Sequence, residues 1–337
     1  MNKKDQAQQA LQAKLTAAYA TMEKRITHPR IKDAIDEIKT QLSLGKGHII
    51  LVTGPAGVGK TTLSQTLEVD LQKRYLSEMN NNPGLIPVLK VEARATSEKN
   101  FNWKLFYNTI LSQLEMSMDA PAGVAYGIDP HTNHMYRPLG HSKNTTDGLH
   151  AKVEYALRAR GVKVLMIDEG GHLTNVSDSQ MKRQTDALKS LSNCAECQII
   201  LFGSYDILGV SRLSGQLARR IEEIHFSRYK VDVADDVQSF YVFLETLESR
   251  CGGLFGGLLT ENAPTLQENT LGCIGNLMTI VRKFVAQIQR TSTVTQGLLN
   301  RCLLTPGQHT RILEEIQWGE QCFDNETIST KEVRRPE

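Results

Sequence analysis

Apolar residues recur at helical spacing from the first turns of the chain. Leu11, Leu15, Ala18 and Met22 fall at i, i+4, i+7 and i+11, which predicts an amphipathic helix over residues 8–25. Thr27-His28-Pro29 interrupts it. Pro29 suits the first turn of a second helix, where its missing N–H is not needed. That helix carries Ile31, Ala34, Ile35, Ile38 and Leu42 on one face and ends at Gly45-Lys46-Gly47. The period then shortens. Ile49–Thr53 reads as a buried strand, followed by a glycine-rich turn and a helix from about Lys60 to Leu76. A loop is expected at Asn80–Gly84, a strand at Pro87–Glu92 and a helix at Phe101–Leu114.

Residues 115–148 show no sustained period and hold Pro121, Pro130, Pro138, His131, His134 and His141, so an irregular insertion is expected there. Beyond it, helices at Leu149–Arg160, Met181–Ser192 and Ile207–Arg220 alternate with strands at Val162–Ile167, Gln198–Phe202 and Ile224–Phe226. Strand–helix alternation from 48 to 226 predicts an α/β fold with a parallel sheet covered by helices on both faces. From Asp232 the strand signal stops. Val237–Cys251 and Leu271–Arg290 read as helices of a small C-terminal all-α domain. The expected division is N-terminal helices over 1–47, a core over 48–230, a helical lid over 231–304, and a C-terminal helix and frayed tail over 305–337.

Composition adds limits. At 337 residues, with 40% apolar and 23% charged positions, there is ample material for a core. The formal net charge of +2 gives no basic signature from which nucleic-acid binding could be argued. No apolar run is long enough for a transmembrane helix, and the charged N-terminus is not followed by an apolar stretch of signal-peptide type. Six cysteines are sparse for the length. The expectation is a cytoplasmic protein with reduced thiols and no membrane partner.

The chemistry begins at Gly54-Pro55-Ala56-Gly57-Val58-Gly59-Lys60-Thr61, a full match to G-x-x-x-x-G-K-[ST] between a strand and a helix. Glycines let such a loop curl so that backbone N–H groups meet phosphate oxygens, and the following helix N-terminus adds positive partial charge. Lys60 is then expected on the β/γ-phosphates, Thr61 on Mg²⁺, and Thr62 beside them in the cofactor contact. Some 110 residues further on, Asp168 and Glu169 end a strand at what should be the ligand edge of the sheet. Asp168 is the candidate for holding Mg²⁺ through its waters and Glu169 for polarising the attacking water, which points to ATP hydrolysis. Ser204, after the next strand, is either a turn residue or a sensor of the γ-phosphate. Arg219 and Arg220 end a helix, where cations complement its dipole. That is the simpler reading of the residues alone, although an arginine there could also reach a neighbouring subunit's γ-phosphate.

This order of elements resembles an AAA+ P-loop NTPase, and more specifically the TniB/TnsC family of transposition regulators. The resemblance covers residues 24–290. It rests on Ile26-Thr27-His28-Pro29-Arg30, the phosphate loop, Val164–Glu169, Ile199–Ser204, Gln216–Ile221 and Gly272-Cys273-Ile274-Gly275-Asn276-Leu277. It implies an ATP- and Mg²⁺-dependent ATPase that assembles as a homo-oligomeric ring or helical filament on double-stranded DNA. Such a protein links a TniQ-like target selector to the transposase. By the same resemblance His28 and Ile31 would help cover the adenine, and Gly275 would face the nucleotide from the lid. Arg219 or Arg220 would act in trans, and Lys99, Lys143 and Thr145 would touch the DNA backbone. The chain departs from the pattern in its long 115–148 insertion, in Gly170-Gly171-His172 after the acid pair, and in a lid motif without an arginine. A helicase-loader-like or signalling ATPase acting on a protein, and an ATP-bound scaffold without turnover, remain as alternative readings.

Three weaker constellations favour packing over chemistry. Cys194-x-x-Cys197 has no second pair and precedes a buried strand. Asp129, His131 and His134 lack a clear fourth ligand. Trp103 sits on an amphipathic helix, where core burial is the simpler reading. Apart from these, Trp318 lies on a C-terminal helix over Arg311–Gly319 that would either dock a partner or cap the lid, and the sequence leaves both open.

Overall fold

The computed structural model describes residues 3–24, 26–45, 48–95, 101–116, 127–128, 135–136, 145–174, 178–213 and 221–324. A five-stranded parallel sheet is built from β1 (Ile49–Thr53), β2 (Val88–Glu92), β5 (Val164–Asp168), β6 (Gln198–Gly203) and β7 (Ile221–His225). Its order is β2-β5-β6-β1-β7. The strand feeding the phosphate loop is therefore interior, with β6 and β7 as neighbours. β2 runs parallel to β5 with Val88 opposite Val164 and Glu92 opposite Asp168, and β5 runs parallel to β6 with Val164 opposite Gln198. Two-residue strands β3 (Gly127–Ile128) and β4 (Met135–Tyr136) pair antiparallel inside the stretch expected to be wholly irregular.

By contact the chain forms two compact units, one of residues 40–51 and 64–223, the other of 1–39, 52–63 and 224–337. In the first, alternate strand residues Leu89, Val91, Leu165, Ile167, Ile199 and Leu201 pack against three helices. These are α5 (Trp103–Met116), α6 (Thr146–Ala159) and α8 (Asp178–Ala195), the last preceded by the short α7 (Gly171–Thr174). The intervening set, Ile50, Val164, Met166, Ile200 and Phe202, is equally buried. Burial on both faces is why these strands read as unbroken apolar runs. Trp103 packs edge-to-face on Phe101 and Phe106 and tilted on Tyr107, against this core, as its helical spacing predicts. The helix α3 (Lys60–Arg74) is followed by the short α4 (Leu76–Asn81), which extends helix into part of the expected loop.

The other unit is helical around its core. α1 (Lys3–Glu23) and α2 (Pro29–Ser43) precede the strand. After β7 come α9 (Ala234–Arg250), α10 (Leu258–Glu261), α11 (Ala263–Asn269), α12 (Ile274–Thr291), α13 (Gln296–Asn300) and α14 (Pro306–Asp324). Leu15 and Ala18 of α1 join Phe240, Phe243, Leu244 and Leu247 of α9 and the Leu277–Ile288 stripe of α12 in one cluster. Truncating a fully buried member such as Phe284 should cost about 3–5 kcal/mol. Among the described residues no single helix is long and apolar enough to cross a membrane.

Two boundaries differ from the hydrophobic pattern for a visible reason. α6 starts at Thr146 rather than Leu149, because Thr145 caps it, its Oγ1 accepting from Gly148 N at 3.1 Å. Capping residues are polar and so escape a search for apolar period. After β6 the described chain forms a 3₁₀ helix over Tyr205–Leu213, not the α-helix expected from Ile207. The remainder of that expected helix lies outside the described residues, and β7 begins at Ile221 rather than Ile224.

The entry to α2 is fixed by charge. Arg30 Nη2 donates to both carboxylate oxygens of Asp236 at 2.6 Å, Arg30 Nη1 donates to Ser227 Oγ, and its guanidinium lies 5.1 Å from the Tyr229 ring centre. Asp236 also accepts Lys230 N at 2.8 Å. Arg30→Met should lose about 2 kcal/mol in urea unfolding, and Asp236→Leu added to it should restore part of that loss. Purely additive losses would show that the pair holds nothing.

Candidate nucleotide site

The phosphate loop leaves β1 and belongs to the helical unit. Phe226 N donates to Thr53 O at 2.7 Å, which brings the end of β7 alongside the start of the loop. A Cβ on Gly54 would fall on the Phe226 carbonyl. Gly57 and Gly59 have φ of 77° and 114°, where a side chain is strained. A Cβ on Gly57 would strike the Asn276 side chain, and one on Gly275 would lie 2.5 Å from Gly57 O. Asn276 N donates to that same carbonyl at 3.1 Å. The first residues of α12 therefore seat directly on the loop, with Gly275 against the Gly57 carbonyl. Pro55 and Val58 are buried, Ala56 and Thr62 are half-buried, and Thr61 is exposed at the head of α3.

Lys60 bends back over this curl. Its Nζ donates to Gly54 O at 2.8 Å and Pro55 O at 2.9 Å, so the ammonium sits over the loop's entrance turn. A glycine cradle too tight for side chains, with a fixed cation above it, fits a polyphosphate. His28 and Ile31 are 4% and 1% exposed. His28 Nδ1 lies 2.8 Å from Tyr229 Oη, and its ring stacks 6.2 Å from Phe226, the residue that backs Gly54.

The acid pair belongs to the sheet unit. Asp168 is 7% exposed and is held on both carboxylate oxygens. Ser64 Oγ donates to Oδ2 at 3.0 Å, Lys90 Nζ approaches Oδ2 at 3.3 Å, and Glu169 N donates to Oδ1 at 3.1 Å. Ser64 is one turn beyond Lys60 on α3. A carboxylate held this way, with lone pairs to spare, fits a magnesium shell through water. Glu169 is exposed and adopts φ 56°, a left-handed conformation uncommon for a non-glycine residue and concentrated at functional sites.

Gly170-Gly171 is explained by space. Gly170 N donates to Phe202 O at 2.7 Å, and a Cβ there would lie 2.5 Å from the Leu201 side chain. A Cβ on Gly171 would lie 2.6 Å from Asp206 Oδ2. A side chain at Gly170 would crowd the end of β6, and one at Gly171 would have to displace the Asp206 carboxylate of the 3₁₀ helix. Ser204 is half-buried at the end of β6, its carbonyl accepting Ile207 N at 3.2 Å to start the 3₁₀ helix.

Other expected residues are distributed unevenly. Thr145 is the cap of α6. Lys99, Lys143, Arg219, Arg220, Asp129, His131 and His134 lie outside the described residues. Cys197 is buried and its thiol is pushed up to about 12 by burial, which makes it a packing residue. Among the described residues no group of three metal-ligating side chains occurs. Ser64, Lys90, Phe226 and Asn276 are not among the site residues expected from the sequence. Lys90 leaves a trace as a charge inside an otherwise apolar strand, and Asn276 lies within the lid motif.

Residues 44–210 match the family model described as an AAA domain. Among solved structures, the Aeropyrum pernix ORC1 protein in complex with DNA aligns at 14% identity with a TM-score of 0.52. That alignment covers 82% of this chain and 65% of ORC1. The Aeropyrum pernix ORC2 protein, solved as ADPNP–ADP complexes, aligns at 12% identity with a TM-score of 0.50, covering 87% of this chain and 73% of ORC2. No curated protein matches the sequence. The fold is thus that of an AAA+ P-loop NTPase with a C-terminal helical region.

His28 supplies a pH test of the segment ahead of the core. Burial first, and the Arg30 charge second, lower its pKa from 6.5 to about 4. Folded protein therefore binds fewer protons than unfolded protein between those values. The stabilisation is complete above pH 6.5 and is lost as pH falls toward 4, about 3 kcal/mol in all. Urea unfolding at pH 7.5 and 4.5 should show wild type losing most of that amount relative to His28→Gln. Parallel losses in the two proteins would place the pH sensitivity elsewhere.

Proposed function

We propose that this protein is an ATP-dependent, oligomeric, DNA-binding regulator of transposition that connects a target selector to a transposase. The observation that carries the ATPase part is the cradle of Gly54, Gly57 and Gly59 under the Lys60 ammonium, together with the oriented Asp168 and the strained, exposed Glu169. ATP would lie with its phosphates on the loop and its adenine toward the His28–Ile31 segment. Thr61 and Asp168 would hold Mg²⁺, which offsets phosphate charge when bound. Glu169 would accept a proton from the attacking water. The bond between the γ-phosphorus and its bridging oxygen breaks, giving ADP and phosphate, with Ser204 reading the γ-phosphate.

The finer reading comes from motifs outside the loop. His28-Pro29 ahead of the core and Gly272-Cys273-Ile274-Gly275 in the lid resemble the TniB/TnsC family. On this reading Arg219 or Arg220 completes a neighbour's site, so nucleotide and assembly are linked, and hydrolysis drives disassembly. Lys99, Lys143 and Thr145 would meet the DNA backbone. A ring multiplies such contacts, so a protomer charge of +2 suffices. The same charge is also compatible with a second reading, a helicase-loader-like or signalling ATPase that acts on a protein partner.

Phosphate release should be measurable for wild type and fall at least about 100-fold in Glu169→Gln with nucleotide binding retained. Unimpaired release by the variant would remove Glu169 from its role. Electron microscopy with a non-hydrolysable ATP analogue and duplex DNA should show rings or filaments. Monomers under those conditions, or DNA affinity insensitive to salt and nucleotide, would favour the protein-directed reading.

A further inference from the structure

Lys90 is out of place by pattern. It sits mid-strand in β2, between the buried Leu89 and Val91, with its side chain 17% exposed. Interior lysines of this kind are rare unless paired. Register explains its destination. Lys90 stands opposite Met166, two residues before the Glu92–Asp168 pairing, so its stem runs toward the carboxyl end of β5. There its ammonium meets Asp168 Oδ2 at 3.3 Å, on the same oxygen that accepts Ser64 Oγ at 3.0 Å. The other oxygen is held by Glu169 N.

We propose that Lys90 is a built-in counter-ion for Asp168, a positioning residue that holds this carboxylate in place when no metal is bound and competes with magnesium when one is. The proposal rests on reading Asp168 as the magnesium-side acid. Two cations served by one buried carboxylate repel each other. Lys90 therefore stabilises the metal-free protein and weakens magnesium binding. It makes the metal exchangeable, and it sets how much free Mg²⁺ the nucleotide complex requires. Ser64 completes the arrangement by fixing which oxygen faces the lysine. Because Ser64 lies on α3, the helix begun by Lys60, movement of that helix would reach the acid through a single hydroxyl.

The test uses the full-length chain and Lys90→Met, Lys90→Arg, Asp168→Asn and the Lys90→Met/Asp168→Asn double variant. Melting in EDTA should fall by several degrees for Lys90→Met, stay near wild type for Lys90→Arg, and recover in the double variant, where no carboxylate is left uncompensated. Titration of Mg²⁺ into protein with a fluorescent ADP should show half-saturation about tenfold lower for Lys90→Met than for wild type, with Lys90→Arg unchanged. A merely structural lysine would give equal losses with and without metal, no shift in half-saturation and no recovery in the double variant. Any of those results overturns the proposal. Should Lys90→Met not fold, a double variant that also fails to fold overturns it as well. If no variant and not even wild type binds ADP, the nucleotide reading fails, while the melting comparison in EDTA still decides whether Lys90 serves Asp168.

Discussion

The structure turns on how little room surrounds the turn between Thr53 and Lys60. The Phe226 backbone lies against Gly54, the head of α12 lies against Gly57, and the Lys60 ammonium spans two loop carbonyls. Each contact removes a place where a side chain could stand. What remains is a glycine-rich backbone turn beside the Lys60 ammonium, an arrangement suited to phosphate. The clamp is made by segments distant in sequence, residue 226 and residues 275–276, both within the helical unit. A change in the seating of α12 would therefore be felt by the loop without any rearrangement of the strand beneath it.

Charge pairs repeat this logic at three places. Arg30 on Asp236 holds the segment that carries His28, and Lys90 on Asp168 holds the acid at the end of β5. Arg228 donates to both Glu320 oxygens at 2.9 and 3.1 Å, while His225 stacks on Phe323 at 4.4 Å, so α14 is tied to the residues flanking Phe226. Pairs of this kind contribute modestly to net stability but strongly penalise the loss of one partner. They fix positions more than they add free energy. The protein thus spends its few buried charges where segments meet the functional residues.

Most of the sheet could be read in advance because its strands are buried on both faces and so appear as apolar runs bounded by glycine and acid. The loop was readable because its glycines and lysine must be local to one another. Asp168 and Glu169 were readable for the same reason, as acids ending a run. The contacts of Ser64 with Asp168, of Phe226 with Gly54 and of Asn276 with Gly57 were not, since partners far apart in sequence leave no local period. Gly170-Gly171, which looked like a departure, is a packing requirement set by Leu201 and Asp206 across the strand ends. Thr145 shows the converse. A residue suggested for DNA contact has a defined structural role as a helix cap, and its hydroxyl already accepts a backbone N–H. The hydrophobic pattern likewise missed the 3₁₀ path after β6, where Gly203 and Ile207 pack closely.

The account stands or falls on whether the turn over Gly54–Thr61 holds a nucleotide's phosphates through Lys60. Calorimetric titration of the purified chain with Mg²⁺ and a non-hydrolysable ATP analogue measures this directly. The account predicts saturable binding with one site per chain, weakened at least about tenfold in Lys60→Ala while the melting temperature of the nucleotide-free protein stays within a few degrees. Equal affinity in the two proteins, or no heat in either, would contradict it.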